Sequence, residues 1–148
     1  MKAKDIMQTA VITVKETATI EEIARILIAN KISGLPVVNE ARELTGIVTE
    51  GDLVHKEMNP RLPNSINFLG AIIYYNGVKR YDEDFKKLLA NKASEIMTKK
   101  VIVVTEDVDV SEIGSLMIEH KIKQIPVMRA KQIVGMISRS DIIKTLLL

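Results

Sequence analysis

The chain is expected to fold as an α/β (α+β) protein: two β-α-β-β-α repeats about a pseudo-twofold axis, with a loop and helical insertion between them. Three observations point there. The first is an internal duplication: at an offset of 90, 13 of the 35 residues from Lys4 to Val38 recur between Ser94 and Met128. The second is a junction that occurs twice, Gly46-Ile47-Val48-Thr49-Glu50-Gly51-Asp52 and Gly135-Met136-Ile137-Ser138-Arg139-Ser140-Asp141, here at an offset of 89. The third is a change of apolar period within each copy, from short strand-like runs to helical spacing and back.

Composition allows this. A 148-residue chain that is 47% apolar can bury one core or two small ones. Without cysteine, disulfides and thiolate chemistry are excluded. Charges nearly balance, 21 basic against 19 acidic, which gives little ground for a nucleic-acid partner. No apolar run reaches the roughly 20 residues of a membrane span, and the N-terminus Met1–Met7 lacks an apolar signal region. A cytoplasmic protein with no membrane partner is expected.

In chain order, a helical turn (Lys4–Met7; Ala93–Met97) precedes a strand, Val11–Val14 or Val101–Val104. A helix follows at a capping box: Thr19 stands three before Glu22, and Asp109 three before Glu112. Its apolar face carries Ile20, Ile23, Ala24, Leu27 and Ile28, or Val110, Ile113, Leu116 and Met117. A second strand is expected at Leu35–Val38 and Ile125–Met128, entered at Pro36 and Pro126. Lys31 and Lys121 would meet the last helix carbonyls, as would a charged His120; His55 reads as a solvated helix-end residue. A polar turn, Asn39–Glu43 or Arg129–Lys131, leads to a third strand, Leu44–Thr49 or Gln132–Ser138. The last two strands form a hairpin, and a closing helix starts after Thr49 or Ser138.

The boundaries are thus 1–55 for the first repeat, 56–92 for the insertion and 93–148 for the second. The insertion holds Pro60 and Pro63, an apolar run from Phe68 to Tyr75, a helix from about Asp82 to Asn91 and all five aromatic residues. It reads as a segment packed on the module or on a partner subunit, or as a lid over the ligand.

A hydroxyl followed three residues later by aspartate, at a strand-to-helix junction, has two readings. It caps the helix, or it binds: free N–H groups and the helix dipole suit an anion, and the carboxylate can hold a sugar diol. No Ser-His-Asp arrangement, metal cluster or phosphate-gripping loop accompanies it, so no catalytic or metal-ligating residue is expected.

The Asp5-Ile6-Met7 and Glu95-Ile96-Met97 openings, Ile32-x-x-Leu35-Pro36-Val37, Ile122-x-x-Ile125-Pro126-Val127 and the two glycine-to-aspartate junctions together resemble tandem cystathionine-β-synthase-type (CBS) domains, a Bateman module. The resemblance covers about 4–55 and 93–146. It implies a non-enzymatic regulatory module that binds AMP, ADP, ATP or S-adenosylmethionine between the repeats, commonly as a homodimer. Carried onto this chain, Asp52 and Asp141 match the ribose-binding aspartates, and Thr49 and Ser138 the hydroxyls facing phosphate. The base-contacting segments match Ile12, Thr13 and Val14 with Ser33, Gly34, Leu35 and Pro36, and Ile102, Val103 and Val104 with Lys123, Gln124, Ile125 and Pro126.

Arg139, where the first copy has Glu50, adds a cation beside a phosphate. The second repeat's site is therefore expected to take the charged nucleotide, and the first to be empty or to prefer a less anionic ligand. The output is expected in trans, on a protein effector or at a dimer interface. The alternative is a structural dimerisation module that binds no nucleotide.

Overall fold

In a computed structural model, residues 1–58 and 92–148 are described. The readings of the insertion's prolines, apolar run, aromatics and helix lie outside the described residues.

Each repeat builds one three-stranded sheet. In the first, β1 (Val14–Lys15) runs parallel to the central strand β2 (Gly34–Val38), which pairs antiparallel with β3 (Leu44–Thr49). In the second, β4 (Val104–Thr105), β5 (Gln124–Arg129) and β6 (Gln132–Ser138) repeat that order. Helices α2 (Ile20–Asn30) and α3 (Glu50–Met58) belong to the first sheet, and α5 (Val110–Glu119) and α6 (Arg139–Lys144) to the second. A short 3-10 turn, Thr145–Leu147, ends the chain. The remaining helices among the described residues are single turns, α1 (Ala3–Ile6) and α4 (Ala93–Ile96).

The edge strands fall short of the expected Val11–Val14 and Val101–Val104. Only Val14 and Lys15 pair with β2, at Val37 and Val38. Proline explains it. The Glu16 N–H donates to the Val38 carbonyl at 3.3 Å, so Val38 faces β1; two residues back, Pro36 faces the same way but has no N–H to offer. Pro36 and Pro126 thus sit inside the central strands rather than at their entries, and they end the parallel ladder. Ile12, freed from pairing, is 37% exposed.

Helix α2 starts as expected: Thr19 Oγ1 accepts from the Glu22 N–H at 3.1 Å, and Glu22 Oε2 from the Thr19 N–H at 3.1 Å. Its counterpart differs. Asp109 is the N-cap residue of α5 but makes no side-chain cap bond; its carboxylate is 2.9 Å from Lys2 Nζ instead. At the helix ends, Lys31 and Lys121 adopt the left-handed conformation, with φ of 52° and 53°. The Lys31 contact with the last turn runs through its backbone N–H, to the Ile28 carbonyl at 3.3 Å, rather than its ammonium.

The described hydrophobic residues form two clusters, one per sheet, rather than one shared core. The first centres on Ile23, Leu27, Leu35, Val37 and Val48, the second on Ile113, Met117, Ile125, Val127 and Ile137. Each is completed from the other repeat: Ala93, Ile96 and Met97 pack in the first, and Ala3, Ile6 and Met7 in the second. The single-turn helices are therefore exchanged. The Ala3 N–H donates to Val108 O at 2.8 Å, and the Ala93 N–H to Ala18 O at 2.8 Å. Gln8 bridges Met136, and Thr98 bridges Ile47. Reciprocal contacts between equivalent residues are what a pseudo-twofold axis generates.

Candidate ligand-binding site

The arm exchange carries Gln8 and the unpaired segment after it onto the second repeat, and this builds a cleft of about 950 Å³ between the repeats. One wall comes from the first repeat: Ile12, Ile28, Ser33, Gly34 and Leu53. The facing wall is the α6 junction of the second, with Ser138, Arg139, Ser140 and Asp141. Gln124 crosses at the boundary, its Nε2 donating to Ser33 Oγ at 3.0 Å.

Asp141 is the buried charged residue here, 6% exposed. Its Oδ2 accepts from the Ser138 N–H and from Ser138 Oγ, both at 2.8 Å. Oδ1 accepts from Gln8 Nε2 at 3.0 Å and lies 3.6 Å from Lys144 Nζ. Burial pushes this carboxyl's pKa up, but the Ser138 N–H, its hydroxyl, the Gln8 amide and Lys144 together outweigh burial and hold it below the ordinary value. Asp141 is thus an ionised acceptor at neutral pH. Arg139 points its Nε at the Ile122 carbonyl, 3.1 Å away, which fixes the guanidinium at the cleft's edge.

The expected residues divide. The cleft brings Ile12, Ser33, Gly34 and Pro36 of the first repeat together with Lys123, Gln124, Ser138, Arg139 and Asp141 of the second. Val14, Leu35, Val104 and Ile125 belong to the hydrophobic cores. Val103 and Val104 line a separate hollow with Met128 and Lys131. Thr13, Thr49, Asp52, Ile102 and Pro126 are not among the lining residues. At the first junction the cap is reciprocal: the Thr49 N–H donates to Asp52 Oδ2 at 2.9 Å, and the Asp52 N–H to Thr49 Oγ1 at 3.3 Å.

Glu50 and Arg139 were expected to mark separate sites, one unfavourable to phosphate and one favourable. Both line this one cleft, because the junction of one repeat closes over the strand edge of the other. Four cations, Lys31, Lys123, Arg139 and Lys144, face two carboxylates, Glu50 and Asp141, so the balance suits an anionic ligand.

Sequence reasoning missed Gln8 and Lys144, and it read Lys31 only as a helix end. Nothing in the pattern around Gln8 announces it, since its role depends on the exchange. Chemically the cleft offers a held carboxylate, three serine hydroxyls (Ser33, Ser138 and Ser140), cations and an aliphatic wall, which together can take a flat base, a diol and an anion. Among the described residues no group of three or more His, Asp or Glu side chains could hold a metal ion, and no helix is long and apolar enough to cross a membrane.

Comparison with known proteins agrees with this architecture. MJ1426 of Methanocaldococcus jannaschii, an uncharacterized protein, is 31% identical over 155 aligned positions, covering 99% of this chain and 92% of that one. Two further curated relatives are longer, and the chain spans about half of each. Among solved structures, the CBS domain pair of protein MJ0100, in complex with 5′-methylthioadenosine and S-adenosyl-L-methionine, superposes with a TM-score of 0.75 at 26% identity, over 99% of this chain and 95% of that one. CBSX2 in complex with AMP gives 0.75 at 21% identity, over 99% and 96%, a likeness of fold. The CBS domain model matches residues 3–59 and 93–148, and with two such matches across most of its length the chain belongs to the CBS domain family, as a pair of repeats.

Proposed function

We propose that this chain is a non-catalytic regulatory module that binds an adenosine-containing ligand, AMP, ADP or ATP first, in the cleft between its repeats. The observation that carries the reading is the meeting of Asp141 and Ser138 from one repeat with the Ile12 and Ser33–Gly34 edge of the other. In this reading Asp141 accepts from the ribose hydroxyls. Ser138, Ser140 and the Arg139 guanidinium receive the phosphate or another polar tail, and Ile12 and Ile28 cover the faces of the base. The MJ0100 pair supports it, since both of its ligands carry an adenosyl group.

A ligand touching both repeats favours one relative orientation of them, by as much as its affinity differs between orientations. That change is the signal, read by a second copy of the chain or by a protein effector.

The test is thermal unfolding with AMP, ADP, ATP, S-adenosylmethionine and 5′-methylthioadenosine. At one hundred times its Kd, a true ligand adds about 2.7 kcal/mol of stability. Titration calorimetry should give one ligand per chain for this cleft. Asp141→Asn should abolish it, whereas Asp52→Asn, outside the lining, should leave the affinity unchanged. A folded chain that responds to none of the five would favour a dimerisation module instead.

A further inference from the structure

The two junction aspartates are equivalent in sequence, yet among the described residues only Asp141 receives a hydrogen bond from an arm residue of the other repeat. Gln8 and Thr98 occupy equivalent places. Each makes a backbone bridge to the third strand of the opposite repeat, Gln8 to Met136 and Thr98 to Ile47. Gln8 then extends its amide to 3.0 Å from Asp141 Oδ1, while the Asp52 carboxylate accepts from Thr49 and not from the shorter Thr98. The Oδ2 of Asp141 is already committed to the Ser138 N–H and hydroxyl. Its rotation is therefore set by the cap behind it and by Gln8 beside it, with Lys144 Nζ 3.6 Å from the same Oδ1. Gln8 itself lines the cleft, and its amide oxygen has no partner among the described residues.

We infer that Gln8 is a positioning residue for the sugar of the bound nucleoside: it fixes the Asp141 carboxylate so that the free lone pair of Oδ1 faces the diol. The inference rests on the proposed adenosyl-binding role of the cleft. It makes the N-terminal arm part of the site, and it distinguishes two aspartates that the duplication leaves alike.

Gln8→Thr is the appropriate variant, because threonine is what the fold already accepts at the equivalent bridge. Affinities of the full chain for AMP and for 2′,3′-dideoxy-AMP, which lacks the diol, would be compared by calorimetry. In the wild type the diol should be strongly favoured. In Gln8→Thr the Kd for AMP should rise about tenfold, the size of one lost charge-assisted hydrogen bond, with the dideoxy analogue unchanged. A merely structural role would weaken both ligands alike. Equal weakening, or undiminished preference for the diol, overturns the role of Gln8 and leaves the cleft's function standing. If the wild type binds neither nucleotide, the functional reading fails and this role fails with it.

Discussion

Asp141 and Asp52 each accept the N–H of their junction's hydroxyl residue, but Asp141 adds Gln8 and Lys144 and is nearly buried. The cap and binding readings of the motif are therefore not rivals: one carboxylate oxygen secures the helix start, and the other turns to the cleft. The depressed pKa of Asp141 links this residue to stability. A carboxyl held below its unfolded value of 3.8 contributes fully above that pH, and the contribution is lost as pH falls through the lower, folded pKa. Asp107 and Asp109 are also lowered, by Lys4 and Lys2, but both are fully exposed and carry little weight. Near neutral pH, Asp141→Asn should cost about 1–3 kcal/mol in urea unfolding. The gap between variant and wild type should stay level from pH 7 to 5 and close below about 4. A gap unchanged at acid pH would show that the charge contributes nothing.

Two glycines and two methionines that recur in the sequence prove to be one device at the scale of elements. A Cβ on Gly46 in β3 would overlap the Met97 side chain that follows α4, and one on Gly135 in β6 would overlap Met7 after α1. The glycine of each junction is there because the opposite arm's methionine crosses it. Gly46→Ala should destabilise by about 1–3 kcal/mol through overpacking. Pairing it with Met97→Ala should recover part of that, with a coupling energy of about 0.5–3 kcal/mol. Additive costs would mean that the contact is slack.

The strands β2, β3, β5 and β6 and the Thr19 capping box were legible because each depends on local pattern alone. The shortened β1 needed the direction of the missing Pro36 N–H, and the lost Asp109 cap needed Lys2 from the far end of the chain. Arm exchange was not legible at all. An alignment of repeats shows which residues are equivalent, but packing within a repeat and packing across repeats leave the same equivalences. The grouping of cleft residues shared that fate, since the exchange decides which junction faces which strand edge.

The exchange also determines how the whole molecule unfolds. A repeat of roughly 50 residues buries too little to be comfortable alone, and here each core lacks its own arm and holds its partner's. Melting one repeat releases the arm that closes the other, so the two should unfold as a unit although their cores are separate clusters. Met7→Ala makes this testable, because Met7 belongs to the first repeat by sequence and to the second by packing. The substitution should cost about 2 kcal/mol, near the low end for a methionine truncation because Met7 is only partly buried. Native-state hydrogen exchange would be followed at Val37 in β2 and Val127 in β5, each fully buried in its own core. With one cooperative unit, both amides lose the same protection, although Val37 lies in the core that Met7 does not touch. If protection falls at Val127 alone, the repeats open independently. The cleft between them would then persist only while both happened to be closed, and ligand binding would have to supply the coupling that the arms do not.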